Sequence, residues 1–365
     1  MARLARSEVF GAQEIACVHV IARVVRRCFL LGYDPFTGIN YDHRKDWIEQ
    51  QLQRLSAAFG IDLLCFAVMS NHFHLVLRSR PDVVETWDDS EVARRWLSLC
   101  PIRKKQDGSA EDPNEFELNS IRNDPDRIKQ IRLRLSDIAW WMRLICQNVA
   151  MRANKEDQEV GKFWQARYRA VRILDEESLL ACAAYVDLNP IRAAIAETLE
   201  ESDYTSVQRR IQAMTSNETM NEPLVGRANT PDSFIAPLTI DEQNDPIGPC
   251  ASIAGTRCSD KGFLSIRLPD YLELLDATAR IVRADKLGFT PPDVAPIFER
   301  LNLDIGYWTL LAKDYGRMFG SVAGTPKGIY EMRSLKSKRL FYLKRLWRET
   351  AMPTSQPFLA ERKDI

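Results

Sequence analysis

Residues 67–79, AVMSNHFHLVLRS, leave few options for how they fold. They hold two of the chain's four histidines, His72 and His74. In a strand, successive side chains alternate faces, so Phe73, Leu75 and Leu77 point one way while His72, His74, Val76 and Arg78 point the other. The preceding run, LLCFAV at 63–68, is also strand-like, and Ser70-Asn71 supplies turn chemistry between the two. The expected product is a hairpin with His72 at its head. Imidazoles two residues apart on one strand face converge on a point that a divalent cation can occupy. A pair of partly buried, hydrogen-bonded histidines would read the same way, because a metal site needs three or more ligands and this motif supplies two.

Around the hairpin the chain alternates in type. Residues 15–25, IACVHVIARVV, are rich in β-branched side chains and read as a strand containing His19. After a loop marked by Gly32, Pro35 and Gly38, the positions Trp47, Ile48, Leu52, Leu55 and Phe59 recur at helical spacing. Strand, helix, strand, strand opens a ferredoxin-like α+β domain, an antiparallel sheet with helices on one face and the other face available. Residues 84–100 read as helix, 103–126 as a polar excursion, and 127–153 as one long helix through Ile131, Leu135, Ile138, Trp141, Ile145 and Val149.

The segment 161–172, GKFWQARYRAVR, interleaves Lys162, Arg167, Arg169 and Arg172 with Phe163, Trp164 and Tyr168. Alternating cations and rings suit single-stranded nucleic acid, since phosphates attract charge and unstacked bases lie on flat π surfaces. A core strand with snorkelling arginines has the same pattern, and both readings stand. Residues 175–194 begin with acidic side chains suited to a helix N-terminus, and Tyr185 and Asn189 lie four apart on that helix. Pro190 disfavours helical backbone at Asn189, so an N-cap for a second helix is the competing role for this asparagine. Residues 213–262 read as a linker or loose belt. Helices are expected at 268–282, 292–301 and 307–319, and 334–347 as a basic amphipathic helix.

Fifty Lys+Arg balance fifty Asp+Glu, so a nucleic-acid partner must be argued from local clusters and not from net charge. Eight scattered cysteines without a CxxC pair read as reduced thiols. The N-terminus makes a poor signal peptide, and no run of about eighteen apolar residues offers a membrane span. A soluble, cytoplasmic protein is the expectation.

Three ordered motifs carry a resemblance. MSNHFH at 69–74, WQARY at 164–168 and YVDLNPIRA at 185–193 resemble, in this order, the motifs of the HUH single-tyrosine transposases, most closely the REP-associated tyrosine transposase branch. The HVIAR strand from His19 and the later Tyr204-Thr205-Ser206 fall where that family places similar patches. The resemblance covers residues 14–212, a catalytic domain with an insertion at 101–126. A linker at 213–262 and a helical C-terminal domain of unknown role at 263–350 would follow.

The resemblance implies a bacterial, nucleoid-associated enzyme, monomeric or homodimeric, that cleaves and rejoins single-stranded DNA carrying hairpin, REP-like elements. Tyr185 would be the nucleophile, forming a 5′-phosphotyrosine link. His72 and His74, with Asn189 as third ligand, would hold Mg2+ or Mn2+. Lys162, Trp164, Arg167, Tyr168, Arg169 and Arg192 would contact DNA. The chemistry is coherent: a phenol titrates near pH 10, so it needs a nearby cation to attack, and phosphoryl transfer needs its developing charge neutralised. A catalytically silent DNA-binding regulator with the same fold is the alternative.

Overall fold

The computed structural model describes residues 9–11, 13–106, 108–218, 230–241, 248–283, 295–301 and 303–335. Its centre is a five-stranded sheet in the order β2-β3-β1-β4-β5, formed by β1 (Cys17–Arg23), β2 (Ile61–Val68), β3 (His72–Ser79), β4 (Arg169–Ile173) and β5 (Val322–Ala323). The first four strands pair antiparallel, and the two-residue β5 joins β4 in parallel. The helices between them are α1 (His43–Ala58), α2 (Pro81–Thr86), α3 (Asp89–Leu99), α4 (Glu115–Arg122), α5 (Pro125–Leu135) and α6 (Ile138–Asp157). After β4 come α7 (Glu176–Asp187), α8 (Asn189–Arg192), α9 (Ser206–Glu218), α10 (Leu268–Arg283), α11 (Ala295–Arg300), α12 (Ile305–Met318) and, beyond β5, α13 (Pro326–Leu335). The expected α+β architecture with a helical C-terminal part is what forms. None of the described helices is long and apolar enough to cross a membrane.

Alternation along the strands divides the interior in two. On one face Val18, Val20 and Ala22 of β1 and Phe73, Leu75 and Leu77 of β3 pack with Ile48, Leu52 and Leu55 of α1 and Trp141, Ile145 and Val149 of α6. The other face was expected to stay available, and it does not. Ala67, Val76, Val171 and Ile173 lie there beneath Leu180, Ala183 and Ala184 of α7, Tyr271 and Leu274 of α10 and Trp308 and Tyr315 of α12. β3 is consequently buried over seven of its eight residues, a two-sided burial that an apolar face alone would not produce.

The single long helix expected over 127–153 is two helices. Asp137 accepts a hydrogen bond from the Ala139 amide at 2.7 Å and so starts α6 afresh. The break frees the Leu135 carbonyl, which accepts from the Gly60 amide at 2.8 Å. Gly60 has no room for a side chain there: a Cβ would stand 2.0 Å from a Val84 methyl. The 84–100 stretch likewise divides at Trp87-Asp88, where Asp88 caps α3. Within the polar excursion, α4 buries Leu118 and Ile121.

The described parts of 213–262 are laid against the body of the fold. Phe234, Ile235 and Ala236 are buried, and the Ala236 amide donates to the Leu63 carbonyl at 2.8 Å. A buried ion cluster holds the rest. Asp62 on β2 accepts from Arg78 at 2.8 Å and from Ser259 at 2.8 Å, while Arg78 donates onward to the carbonyls of Gly262 and Lys261. Arg80, almost fully buried, joins Asp62, Asp82 and Ser259. Composition marked this stretch as loose because its anchors are backbone carbonyls and small polar side chains, which carry no hydrophobic periodicity. Of the basic helix expected at 334–347, all beyond residue 335 lies outside the described residues.

Asp62→Ala would leave the Arg78 guanidinium buried without a carboxylate. A loss of about 3–5 kcal/mol in urea unfolding is expected. A change within about 0.5 kcal/mol, as for a surface substitution, would show that the cluster contributes nothing to stability.

Candidate active site

Strand register assembles the histidines. β1 runs antiparallel to β3 with Arg23 opposite His72, Ile21 opposite His74 and His19 opposite Val76, so all three imidazoles share the second face. His74 Nδ1 lies 2.9 Å from His19 Nε2, with the two rings stacked at 5.1 Å. His72 stands edge-on to His74 at 4.9 Å. Its Nδ1 is 2.6 Å from the Asn71 amide oxygen, and the same amide donates through Nδ2 to the Arg27 carbonyl at 3.2 Å. That second bond orients the amide oxygen toward the ring. His72 must therefore carry its proton on Nδ1 and present a bare Nε2.

The tyrosine helix is fixed at both ends. Asp175 caps α7, accepting from the Ser178 amide at 2.8 Å. At the other end the fully buried Asp187 accepts from Ser206, from the Val207 amide at 3.1 Å and from Tyr271 at 2.8 Å. Between these anchors α7 carries Tyr185 over the histidines, its ring 5.7 Å from that of His74 and 6.1 Å from that of His19. The Arg192 guanidinium lies over the Tyr185 ring at 4.3 Å. A Cβ on Gly316 of α12 would stand 3.0 Å from the Tyr185 hydroxyl, so this glycine makes room for the phenol. Tyr315 completes the enclosure at 5.7 Å from Tyr185.

Asn189 does not extend the tyrosine helix. The backbone breaks at Leu188, and Asn189 is the first residue of α8, ahead of Pro190. Neither does it cap that helix: no side-chain cap bond forms, and its Nδ2 is buried without a hydrogen-bond partner among the described residues.

Burial dominates the electrostatics. It lowers His19 to about 3, with Arg169 adding to the effect, and His72 to about 4, with Arg23 adding. His74 is pushed well below the ordinary value by burial first and then by its two imidazole neighbours. All three are neutral near pH 7, the state in which imidazole binds metals; His72 has its Nδ1 proton engaged by Asn71 and its Nε2 bare, while His74 shares one proton with His19 between Nδ1 and Nε2. His72 is thus in a suitable chemical state, and His74 is so when its Nδ1 is the donor to His19. Among the described residues no group of three or more His, Cys, Asp or Glu side chains is arranged to hold a metal ion.

The residues expected to contact DNA divide sharply. Lys162 and Arg167 are exposed. Trp164 is a packing residue: its indole donates to the Cys146 carbonyl at 2.7 Å, and its ring meets Phe73 edge-on at 5.4 Å. Tyr168 is buried in the core with α6. Arg169 donates to the carbonyls of Gly316 at 3.1 Å and Phe319 at 2.8 Å, and Arg192 to that of Lys313 at 2.5 Å, so both serve the C-terminal end of α12. Arg192 thus holds two contacts, one with the Tyr185 ring and one with α12. Tyr315 and Gly316 belong to the site without a sequence signal that would have placed them, and His19 was marked only by its place in the HVIAR strand.

No family model matches the chain, and no curated protein matches it. Among solved structures it is similar to that of a REP-associated tyrosine transposase bound to a REP hairpin. The TM-score is 0.34 and the identity 9%, over 58% of this chain and 86% of that one. A likeness at this level is distant and carries no activity across.

Holding three imidazoles neutral has a consequence for stability. The unfolded chain takes up protons on its histidines below about pH 6.5, whereas the folded chain holds His72 neutral down to about 4 and His19 down to about 3. The unfolded state binds more protons in that window, so stability is complete above about pH 6.5 and falls as the pH drops toward 4. Urea unfolding across this range should show the decline, and His19→Gln should make it shallower. The same slope in both proteins would remove His19 as a source.

Proposed function

We propose that this protein is a metal-dependent single-stranded DNA transposase or endonuclease that acts through a 5′-phosphotyrosine intermediate. The observation that carries the reading is the approach of Tyr185, from a helix a hundred residues downstream, to within 5.7 Å of the His74 ring on the face that also bears His72. A phenol beside the neutral His74 imidazole, whose strand also carries His72 with a bare Nε2, brings a nucleophile close to candidate metal ligands. The ordered motifs shared with the HUH transposases supply the substrate class.

In this reading His72 and His74 would hold Mg2+ or Mn2+, with the Asn189 amide oxygen as a further ligand. When bound, the ion would neutralise charge on the phosphate oxygens. The Tyr185 oxygen attacks phosphorus and gives up its phenolic proton. The bond from phosphorus to the 3′ oxygen breaks, and that oxygen takes a proton to become a free 3′-hydroxyl. The new bond keeps the phosphate on the 5′ side joined to Tyr185, so a later attack by a 3′-hydroxyl rejoins DNA without an external energy source. Arg192, over the Tyr185 ring, favours the phenolate-like form as negative charge develops.

One feature favours the silent regulator instead. α12 lies directly over the tyrosine, with Tyr315 and Gly316 at the phenol. The two readings separate in one experiment. Incubated with labelled hairpin DNA and Mn2+, the protein should yield a denaturation-resistant adduct. Tyr185→Phe should abolish the adduct with binding retained, and His72→Ala should abolish it together with its metal dependence. An adduct that survives Tyr185→Phe would name another nucleophile, and binding without any adduct would establish the regulator.

A further inference from the structure

The cations that the site itself leaves idle gather at one end of the sheet. Beyond β1 the chain turns through 25–27 beside 163–165: the Val25 amide donates to the Phe163 carbonyl at 2.9 Å, and the Gln165 amide to that of Arg23 at 2.9 Å. The hairpin tip closes the third side, where the Val24 amide donates to the Asn71 carbonyl at 2.9 Å and the Asn71 side chain to the Arg27 carbonyl at 3.2 Å. This junction sets the backbone that carries Arg23, Arg26 and Arg27 beside 163–165, the stretch that Lys162 and Arg167 flank.

Most other arginines of this charge-balanced chain have carboxylate partners, among them Arg44, Arg78, Arg95, Arg172 and Arg209. None of the five junction cations forms an ion pair among the described residues, and all but the half-buried Arg23 are exposed. A second observation concerns the backbone. Arg26 and Arg27 both adopt left-handed conformations, with φ of 52° and 61°. Glycine takes such angles freely and an arginine does not, so the turn as a piece of fold gains nothing from these side chains. Strain of this kind concentrates where a side chain is presented to a ligand.

We propose that the turn 23–27 and the segment 162–167 form a clamp for the phosphodiester backbone of a single DNA strand, with Arg23 as its innermost cation. Arg23 sits directly opposite His72 in the strand register and on the same face. A backbone gripped by the exposed arginines would therefore lead along the sheet end to the imidazole pair. The clamp rests on the DNA reading above, and it adds Arg23, Arg26 and Arg27 to the expected contacts Lys162 and Arg167.

Fluorescence anisotropy with a labelled hairpin bearing a single-stranded flank, taken over a salt series, tests it. The variants are the pair Arg26→Gly with Arg27→Gly, and separately the pair Lys162→Ala with Arg167→Ala. Each pair should weaken binding and lower the slope of log affinity against log salt by about 1.4, at about 0.7 per lost contact to a single strand. Because glycine relieves the left-handed strain, the first pair should melt no lower than the parent while it binds more weakly. Unchanged affinity and slope in both pairs, with the parent binding DNA, would overturn the clamp alone. Weaker binding that comes with a lower melting temperature would assign the arginines to the fold and also overturn it. A parent protein that binds no DNA would overturn the DNA reading beneath it.

Discussion

The antiparallel pairing of β1 with β3 is the constraint on which the chemical face depends. Its register sets Arg23 against His72 and Ile21 against His74, and it leaves His19 one pleat further along the same side. Shifting the pairing by one residue would turn every side chain of one strand to the opposite face. The register is protected on the far side of the sheet, where Val18, Val20 and Ala22 mesh with Phe73, Leu75 and Leu77 over α1 and α6. A hydrophobic surface thus fixes the position of a polar one.

Burying three imidazoles costs free energy unless they stay neutral and find partners. The row from Asn71 through His72, and from His74 to His19, meets both conditions. The cover that makes the burial possible comes from the C-terminal part: α12 brings Tyr315 over the rings and places its C-terminal carbonyls where Arg169 and Arg192 can reach them. The Gly316 and Phe319 carbonyls form the electronegative end of that helix, which favours the cationic Arg169 there. The same arginines thus tie β4 and α8 to the cover, while Arg26 and Arg27 of the 23–27 turn are exposed and form no ion pair among the described residues.

Much of the framework was legible before any coordinates. The alternation through 72–79 assigned Phe73 and Leu75 to one face and His74 and Val76 to the other, and the two cores divide them in that way. Helical spacing located α1 and α7, and the acidic start of α7 proved to be the Asp175 cap. The break between α5 and α6 was missed because apolar periodicity runs through it, and a local cap at Asp137 prevailed over that period. Ring and charge alternate over 162–168 equally well at a core edge and at a stacking surface; Tyr168 is buried and Trp164 partly so, while Lys162 and Arg167 are exposed.

The sequence by itself determined β1, the β2–β3 hairpin and α1, the face on which His72 and His74 lie, and the helix that carries Tyr185, because these follow from local periodicity and capping. Tertiary structure alone decided that His19 would join the imidazole row, that α12 would cover the phenol, and that Arg169 and Arg192 would donate to α12 carbonyls while Arg23, Arg26 and Arg27 form no ion pair among the described residues. Those outcomes depend on which strands pair and which helix fills the second face. They bring together residues up to three hundred positions apart, and no periodic signal spans such a separation.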